Sequence, residues 1–495
     1  MPISLSTLTF TEQDDIVPAS GVDYIFNQGI VNTLGGDDII TGTRTPEDYP
    51  FTQTYGIYNT GSIYTNDGDD IIAGIDDGIS YGFGIDFGGI LDTGNGNDLI
   101  TGTSRAGYGI YGRSLGTINT GDGNDTIAGT NTNGGSFVSG IRMQNTVKID
   151  TGKGNDIITG TGVTGGIFQY EGFWNTGEGD DIINGSSISP GFGFIIHMPI
   201  DTGDGNDTIT GTGGNVHDGD GIPDYSVGFS TFDLIYTGNG NDIITGIATN
   251  ADHSIGISNV GIIDTGNGED IITGTGTTYG IINYDYTIIN TGNSKDSLIS
   301  HGKFTNYGGI FLEDGNDSLT ASTSFPNGRA LENLGFIGTG DGNDIIITSA
   351  GIIYNEGVIE TGNGDDSIIV DGGIDDLTGT SYGIYNNGGA INMGDGNDTI
   401  IVNEGFKSAE NSSGAWFLGE GDDYIKGYGS GDFYGGNGND TLELTPGTYT
   451  VGIWDRVTLS KGNSLMLASE FEQLKAGSTI YDFTSLTAGQ IIVVA

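Results

Sequence analysis

The sequence contains no cysteine among its 495 residues, which excludes disulfide bonds and thiolate metal sites. Basic side chains are also scarce, because 14 Lys and Arg stand against 65 Asp and Glu and leave a formal net charge of −51. Such a chain is unsuited to binding nucleic acid or an anionic membrane. Its natural counter-ions are inorganic cations, which would relieve the self-repulsion that opposes folding.

Several other signals are missing. No apolar run reaches the roughly 18 residues of a membrane span. Residues 1–10 lack the basic and apolar segments of a cleaved signal peptide. The four histidines are scattered and no H-E-x-x-H motif occurs, so we expect a protein that is not an enzyme. The histidines are His197, His217, His253 and His301.

Glycine is abundant, with 94 residues and only 9 prolines, and much of it lies in one repeated motif. The motif is a variant of Thr-Gly-x-Gly-Asn-Asp-x-Ile, as in residues 120–127. Its fixed Asp recurs at intervals of roughly 17 to 35 residues, with a mean near 27, which is the range of repeat architectures. The sixteen positions are Asp38, Asp70, Asp98, Asp125, Asp156, Asp181, Asp207, Asp242, Asp270, Asp296, Asp317, Asp344, Asp366, Asp398, Asp423 and Asp440.

Each period contains three short β-branched runs separated by glycine-rich turns, which predicts three short strands per coil. We therefore expect an all-β protein, a right-handed parallel β-helix or β-roll solenoid of about sixteen coils, capped at both ends. Stacking in register would place like Ile residues in three interior columns. Ile127 belongs to the column of first strands and Ile118 to that of third strands, while Ile352 and Ile384 would be neighbours in the column of second strands. We assign residues 1–22 to an N-terminal cap, 23–444 to the solenoid, and 445–495 to a C-terminal cap and candidate secretion signal.

Asparagine recurs at one place in the turn after the second strand and predicts a hydrogen-bonded ladder, although tolerance of left-handed turn geometry explains the same residues. The positions are Asn27, Asn59, Asn259, Asn283, Asn333, Asn355 and Asn386.

The repeated turn has the chemistry of a calcium site. Ca²⁺ takes six to eight hard oxygens, and glycine-rich turns can aim backbone carbonyls inward, so one carboxylate in each turn suffices. Stacked turns would share ligands and hold up to about fifteen ions, and folding would be coupled to binding. We leave Asp296 out of the ligand set because Lys295 precedes it. The expected ligands are Asp38, Asp70, Asp98, Asp125, Asp156, Asp181, Asp207, Asp242, Asp270, Asp317, Asp344, Asp366, Asp398, Asp423 and Asp440.

A separate acidic loop interrupts the longest interval between repeats. Asp218, Asp220 and Asp224 lie among glycines in a pattern that resembles the calcium loops of thrombospondin type 3-like repeats. Carboxylates at such spacing can converge on one hard cation, so we expect a further calcium site here. A plain acidic turn is the alternative.

Residues 435–442, Gly-Gly-Asn-Gly-Asn-Asp-Thr-Leu, resemble the nonapeptide of the RTX, or haemolysin-type calcium-binding, repeat family. The resemblance covers about residues 31–444 and implies a calcium-holding β-roll. It also implies an extracellular or cell-surface location reached through type I secretion, which reads an uncleaved C-terminal signal. Two features depart from the family pattern. Most coils carry a single nonapeptide-like turn, and Thr replaces the first Gly in most copies, as at Thr93 and Thr120.

The expected function is that of a secreted, calcium-binding structural or surface-associated protein, with a role in the cell envelope, the matrix or adhesion. Candidate partners besides calcium are cell-surface polysaccharide and other copies of the chain. Two alternatives stay open. A β-helix enzyme acting on polysaccharide is one, and an ice-binding solenoid is the other. The second alternative depends on outward Thr pairs such as Thr41 with Thr43 and Thr101 with Thr103, which intervening coils interrupt.

Overall fold

The computed structural model describes residues 2–18, 24–44, 53–79, 81–113, 115–133, 138–189, 191–214, 225–248, 253–323, 328–375, 377, 379–408 and 414–495. These residues form strands and turns and contain no α-helix. Two 3₁₀ turns, Leu5–Thr7 and Phe483–Ser485, are the helical elements of this part of the chain. In these ranges no helix is long and apolar enough to span a membrane.

The chain divides into two compact units. The first comprises Met1–Asn267 with Thr273–Thr278, and the second comprises Gly268–Ile272 with Tyr279–Ala495. Each unit contains eight of the sixteen repeat Asp residues. Within each unit successive coils pair strand on strand in parallel, so each is a parallel β-solenoid with three strands in most coils. This architecture confirms the fold class predicted from the sequence.

In the first unit, the coils have a first strand after the repeat Asp, a second strand after a loop, and a third strand before the next turn. First strands are Ile16–Val17, Ile39–Arg44, Ile71–Asp76, Leu99–Ser104, Thr126–Asn131, Ile157–Gly162, Ile182–Ser187, Thr208–Gly213 and Ile243–Ala248. Second strands are Ile3–Ser4, Ile25–Asn27, Thr54–Asn59, Gly82–Phe87, Tyr108–Gly112, Ser139–Met143, Gly165–Gln169, Phe192–Ile196, Tyr225–Thr231 and His253–Asn259. Third strands are Ile30–Asn32, Ser62–Tyr64, Ile90–Asp92, Thr117–Asn119, Val147–Asp150, Gly172–Asn175, Ile200–Asp201, Leu234–Tyr236 and Ile262–Asp264.

The second unit repeats this plan. First strands are Ile271–Asn283, through which the division between the units runs, Ser297–Asn306, Ser318–Ser322, Ile345–Ser349, Ser367–Val370, Thr399–Val402, Tyr424–Lys426 and Thr441–Leu444. The two longest of these also supply the second strand of their coil. The other second strands are Arg329–Asn333, Ile352–Asn355, Ile384–Asn386 and Phe406–Ser408. Third strands are Ile288–Asn290, Gly309–Phe311, Phe336–Gly338, Val358–Glu360, Ala390–Asn392, Ala415–Glu420 and Gly431–Asn437. A short antiparallel pair, Gly373–Ile374 with Ser381–Tyr382, lies in one loop.

The core of each unit consists of the Ile columns expected from the sequence. In first strands Ile100, Ile127 and Ile158 are register partners, and all three are fully buried. Alternation of inward Ile with outward polar residues fixes this register, because a slip by one residue would expose the whole column. One assignment was wrong. Ile353, not Ile352, pairs with Ile384, because Ile352 lies three residues before Asn355 whereas Ile384 lies two before Asn386, and these two Asn residues pair.

An Asn ladder is present in the second unit, and the first unit contains one Asn pair that is followed in register by Phe87. In the first, Asn27 donates from Nδ2 to Oδ1 of Asn59 at 2.9 Å. In the second, the amides of Asn283, Asn306, Asn333, Asn355 and Asn386 form a continuous series at 2.8 to 3.0 Å. All are fully buried, and stacking lets each amide use both its donor and its acceptor. Asn306 is an additional member that the comparison of the repeats missed.

Both ends of the chain depart from the repeat. Ile3–Ser4 and Ile16–Val17 pair in parallel with the strands of the first full coil. At the other end, Gly447–Ile453, Val457–Lys461, Ser464–Ser469 and Ile491–Val494 form an antiparallel sheet. Gln473–Ala476 and Thr479–Asp482 form a second antiparallel pair. Ser464–Ser469 and Gln473–Ala476 also extend the parallel ladders of the second unit by one strand each.

Candidate metal centre

The repeat Asp residues of the first unit form one continuous buried column. Each backbone N–H donates to Oδ1 of the Asp in the next coil, as in Asp125 to Asp156 at 2.7 Å and Asp156 to Asp181 at 2.8 Å. The column runs unbroken from Asp38 to Asp242. Each repeat Asp is held in place between the glycine-rich turn and the first strand. The N–H of the residue after each Asp donates to the backbone carbonyl of the Asp in the preceding coil, as in Ile157 to Asp125 at 2.8 Å.

The second unit contains an equivalent column from Asp270 to Asp440, with N–H to Oδ1 distances of 2.7 to 2.9 Å. Asp296 is a regular member of it. Its N–H donates to Asp317 at 2.7 Å, and its Oδ1 accepts from Asp270 at 2.8 Å. Lys295 is exposed and leaves this backbone geometry intact. Asp296 was omitted from the expected ligands because of the neighbouring Lys295, but the position of Asp296 in the column matches that of the other repeat Asp residues.

The second carboxylate oxygen is the unusual feature of the site. All sixteen Asp residues are at most 2% exposed. In fourteen of them Oδ2 is buried with no hydrogen-bond partner among the described residues. The fourteen are Asp38, Asp70, Asp98, Asp125, Asp156, Asp181, Asp207, Asp296, Asp317, Asp344, Asp366, Asp398, Asp423 and Asp440. A buried carboxylate oxygen without a donor is costly, so one recurring in almost every coil indicates a missing partner.

Glycine carbonyls line the same edge. An ideal Cβ on Gly121 would lie 1.8 Å from the carbonyl oxygen of Gly94, and one on Gly123 would lie 1.6 Å from that of Gly96. Both glycines have positive φ, 84° and 157°, so each position needs glycine for its conformation as well as for space. Each turn thus directs two carbonyl oxygens at the next turn. Together with the Asp column, these give a set of hard oxygen donors of the kind that calcium prefers.

Burial changes the acidity of the column. It raises the pKa of Asp70 to about 6, of Asp156 to about 7 and of Asp207 to about 8. The hydroxyl of the Thr five residues earlier and the bonded N–H lower each pKa, but by less than burial raises it, while neighbouring carboxylates raise it further. A column of ionised carboxylates is therefore unfavourable in the ion-free fold. The pKa is about 6 for Asp98, Asp181, Asp366 and Asp423, about 7 for Asp125, Asp296, Asp398 and Asp440, about 8 for Asp317, and raised for Asp38 and Asp344.

The Thr that replaces the first Gly of the motif has a structural role in the turn. Its hydroxyl donates to the carbonyl of the Thr in the next coil, as in Thr65 to Thr93 at 3.3 Å and Thr151 to Thr176 at 3.2 Å. A hydroxyl has one proton, so it serves either that carbonyl or the nearby Asp. In the coil of Asp242 the geometry favours the carboxylate, with Thr237 Oγ1 2.6 Å from Oδ2.

The structure thus brings fifteen expected ligands and Asp296 into two columns. No compact group of three or more acidic or histidine side chains occurs among the described residues, because each coil contributes one carboxylate to the column. The acidic loop of Asp218, Asp220 and Asp224 lies outside the described residues.

Sequence reasoning missed the residues that end the columns. Asp15 donates its N–H to Oδ1 of Asp38 at 2.8 Å, and Asp440 donates to Oε2 of Glu472 at 2.8 Å. Neither Asp15 nor Glu472 lies in a glycine-rich motif, so the repeat pattern contained no signal for them.

A second surface of the first unit stands out by its lack of charge. The outward residues of its first strands are Thr, Ile, Ala and other uncharged types, in a protein with 65 acidic residues. Thr101 pairs with Ala73 and Ala128, and Thr161 pairs with Thr130 and Ser186. We call this the uncharged face. It consists of Ile39, Thr41, Thr43, Ile71, Ala73, Ile75, Leu99, Thr101, Thr103, Thr126, Ala128, Thr130, Ile157, Thr159, Thr161, Ile182, Asn184, Ser186, Thr208, Thr210, Thr212, Ile243, Thr245 and Ile247.

Neither a model of a known protein family nor a curated protein sequence matches this chain. Among solved structures, the chain is similar to the crystal structure of a hyperactive, Ca²⁺-dependent, β-helical antifreeze protein from an Antarctic bacterium. The identity is 16% and the TM-score 0.29, over 84% of each chain. A likeness at this TM-score says nothing about the function of the present chain.

Proposed function

We propose that this protein is a calcium-stabilised extracellular solenoid of the RTX type that folds when calcium enters the stacked turns. Its role is structural or surface-associated, in the cell envelope, the matrix or adhesion. The observation that carries the proposal is the column of buried carboxylates whose Oδ2 atoms have no partner among the described residues. A divalent ion between adjacent turns supplies that partner and offsets the net charge of −51.

The donor set selects the metal. Carboxylate and carbonyl oxygens in a glycine turn, with no imidazole or thiolate, suit Ca²⁺. Mg²⁺ requires a strict octahedron and releases its waters reluctantly, so it is a poor substitute. Export to surroundings rich in calcium follows from this requirement. Type I secretion with an uncleaved C-terminal signal within residues 445–495 is the matching route.

The test is a titration of the chelator-treated full chain with Ca²⁺, and separately with Mg²⁺, followed by circular dichroism at pH 8. We expect β-structure to appear with calcium and not with the same concentration of magnesium. An unchanged β-signal and melting temperature after exhaustive chelation would refute the proposal.

The uncharged face favours a second candidate function, the binding of ice. Outward side chains repeat about every 4.8 Å between coils and about every 6.7 Å along each strand, so the face is a regular array of hydroxyl and methyl groups. The equivalent positions in the last coils of the second unit carry charge, since Glu443 bonds to Lys426 and Lys475 there. A regular face without charge is suited to contacting an ordered water lattice.

Thermal hysteresis measured in excess calcium tests this candidate. Thr159→Lys places a charge in the middle of the uncharged face and should abolish any hysteresis. Thr117→Lys is the control, because Thr117 lies outward on a third strand and its register partner is already Lys148. Activity that is absent from the unmodified protein, or equal in both variants, would exclude ice binding by this face.

A further inference from the structure

The ladder of second strands in the second unit ends before the other two ladders do. Phe406–Ser408 is its last strand. The interval between repeat Asp residues falls from 25 residues before Asp423 to 17 residues after it. The shorter coil runs from Tyr424–Lys426 directly into Gly431–Asn437 and has no second strand. The side of the solenoid therefore has a step at this point.

A cleft of about 840 Å³ occupies the step. Its lining comes from three parts of the second unit. The last second strand contributes Phe406, the turn that replaces the missing strand contributes Tyr428, and the C-terminal segment contributes Lys461 and Ser464. Sites for small molecules typically enclose about 300 to 1,000 Å³, so the cleft is large enough for a ligand of several rings.

Two lysines of the cleft lie over tyrosine rings. Lys407 Nζ is 4.9 Å from the ring centroid of Tyr382 and 4.4 Å from that of Tyr385, and these two rings meet edge to face. Lys461 Nζ lies 5.7 Å from the ring centroid of Tyr428. An aromatic face attracts an ammonium group and fixes its position, but it leaves the positive charge in place.

Neither ammonium group is neutralised by a carboxylate. The chain has 65 acidic residues, yet neither lysine forms an ion pair with any described residue. Of the acids that line the cleft, Glu404 accepts from the hydroxyl of Ser381 at 2.9 Å, and Asp432 pairs with Arg456 at 2.9 Å. Salt screens charges beyond about 8 Å, so nearby groups outweigh the net charge of −51. The cleft can therefore attract an anionic group.

The remaining polar lining suits a hydroxylated ligand. Ser430 Oγ accepts from the N–H of Ser408 at 3.1 Å, so the proton of the Ser430 hydroxyl can be donated to another acceptor. The amides of Asn403 and Asn463 line the same cleft. Hydroxyl and amide groups both donate and accept hydrogen bonds, as the hydroxyl groups of a sugar require.

We propose that this cleft binds an acidic saccharide, in which Lys407 and Lys461 hold uronate carboxylates and the serine and asparagine side chains hold sugar hydroxyls. A charge-assisted bond from an ammonium to a carboxylate is the strongest contact available here. The inference deepens the surface-associated role proposed above, on which its biological meaning rests. It names a polysaccharide with carboxylate groups as the partner and the cleft at the step as the site of attachment.

The test is isothermal titration calorimetry of the full chain in saturating calcium, with trigalacturonate as the probe and maltotriose as the neutral control. We expect trigalacturonate to bind and maltotriose not to bind. Lys407→Gln should weaken the binding of trigalacturonate by about tenfold or more, because it removes a charge-assisted hydrogen bond. Lys407→Arg keeps the charge and should retain binding. Lys148→Gln is the matched control, because it removes the same charge from an exposed lysine outside the cleft.

Circular dichroism in saturating calcium checks that all variants fold. Three results would each overturn the inference: no binding of trigalacturonate, equal binding of maltotriose, or equal binding of trigalacturonate by Lys407→Gln and the unmodified chain. Acetate separates a saccharide from a free carboxylate, and acetate that binds as tightly as trigalacturonate would overturn the assignment to a saccharide. Loss of uronate binding by a chain that folds with calcium would leave the proposed function standing, whereas folding that is independent of calcium would overturn the proposed function.

Discussion

Replacing one buried carboxylate of the column should have opposite effects with and without calcium. Asp156→Asn keeps Oδ1 as the acceptor for the N–H of Asp125, a bond of 2.7 Å, and removes only the charge. In the ion-free fold burial raises the pKa of Asp156 from 3.8 to about 7, with the hydroxyl of Thr151 and the Asp125 N–H opposing this shift. Because the folded pKa is raised, the stability that this group contributes is full below pH 3.8 and is lost as the pH rises to about 7.

A rise of about three pKa units corresponds to roughly 4 kcal/mol once the group is ionised above pH 7. The amide introduced by Asp156→Asn avoids that cost, but its buried N–H₂ group forfeits about 1 to 3 kcal/mol if it finds no acceptor. The calcium-free fold should therefore gain about 1 to 3 kcal/mol from the substitution. In saturating calcium the same change removes a charged ligand from a buried site, and we expect a loss of about 3 kcal/mol.

The assay is circular dichroism of the full chain under both conditions. In chelator, the pH at which β-structure disappears should move upward in Asp156→Asn. In excess calcium, its melting temperature should fall. Asp180→Asn is the matched control, because Asp180 is exposed and its Oδ1 bonds to the N–H of Asn206 at 2.8 Å, a bond that an amide oxygen preserves. Effects of one sign under both conditions, or equal effects in the control, would refute the reasoning.

Three other outcomes are expected. Without calcium the protein should retain more β-structure at pH 5 than at pH 8, because burial raises the pKa of Asp207 and Asp317 to about 8 and protonation removes the repulsion within the column. Equal β-structure at the two pH values would contradict this prediction. Calorimetry in buffers of different ionisation enthalpy should also show proton release on calcium binding at pH 7. Asp207→Ala, in the middle of a column, should reduce calcium stoichiometry and melting temperature more than Asp38→Ala near its end, because a central carboxylate contacts ions on both sides; equal losses would argue against stacked sites. Ser294→Gly should stabilise the calcium-bound protein by about 1 kcal/mol, because Ser294 holds a φ of 100° that glycine adopts without strain. Proteolysis of the unmodified chain at submillimolar calcium should begin within residues 291–310, next to Lys295. Cleavage confined to the termini would contradict this proteolysis prediction.

The sequence was sufficient to predict the Ile columns, the Asp columns and most of the Asn ladder. Each depends on residues at a fixed offset from the repeat Asp, and parallel stacking in register converts a fixed offset into a column. The strand containing Ile353 was misassigned because Gly351 lies four residues before Asn355, one more than separates Gly383 from Asn386, so the Gly-Ile pattern and the Asn are out of register in this coil. Asn306 was missed because the residues before it, Phe304 and Thr305, do not match the Gly-Ile pattern.

The end of the column could not be predicted for a different reason. Glu472 occupies a repeat position, but the turn before it contains no glycine and takes its left-handed conformation at Glu470. The turn is also three residues shorter than a repeat turn, since Ser469 pairs with Tyr434 and Gln473 pairs with Thr441. The uncharged face was visible only in part, because Thr pairs recur in the sequence while Ile and Ala fill the intervening coils. Its continuity follows from the register of the strands.

The central claim is that calcium ions are the missing partners of the buried Oδ2 atoms. The most direct measurement is the number of calcium ions retained by the folded full chain, counted by native mass spectrometry from a volatile buffer containing calcium. Eight turns in each unit leave seven gaps, so we expect about fourteen ions in the two columns. A folded chain that retains at most one or two ions would contradict the claim.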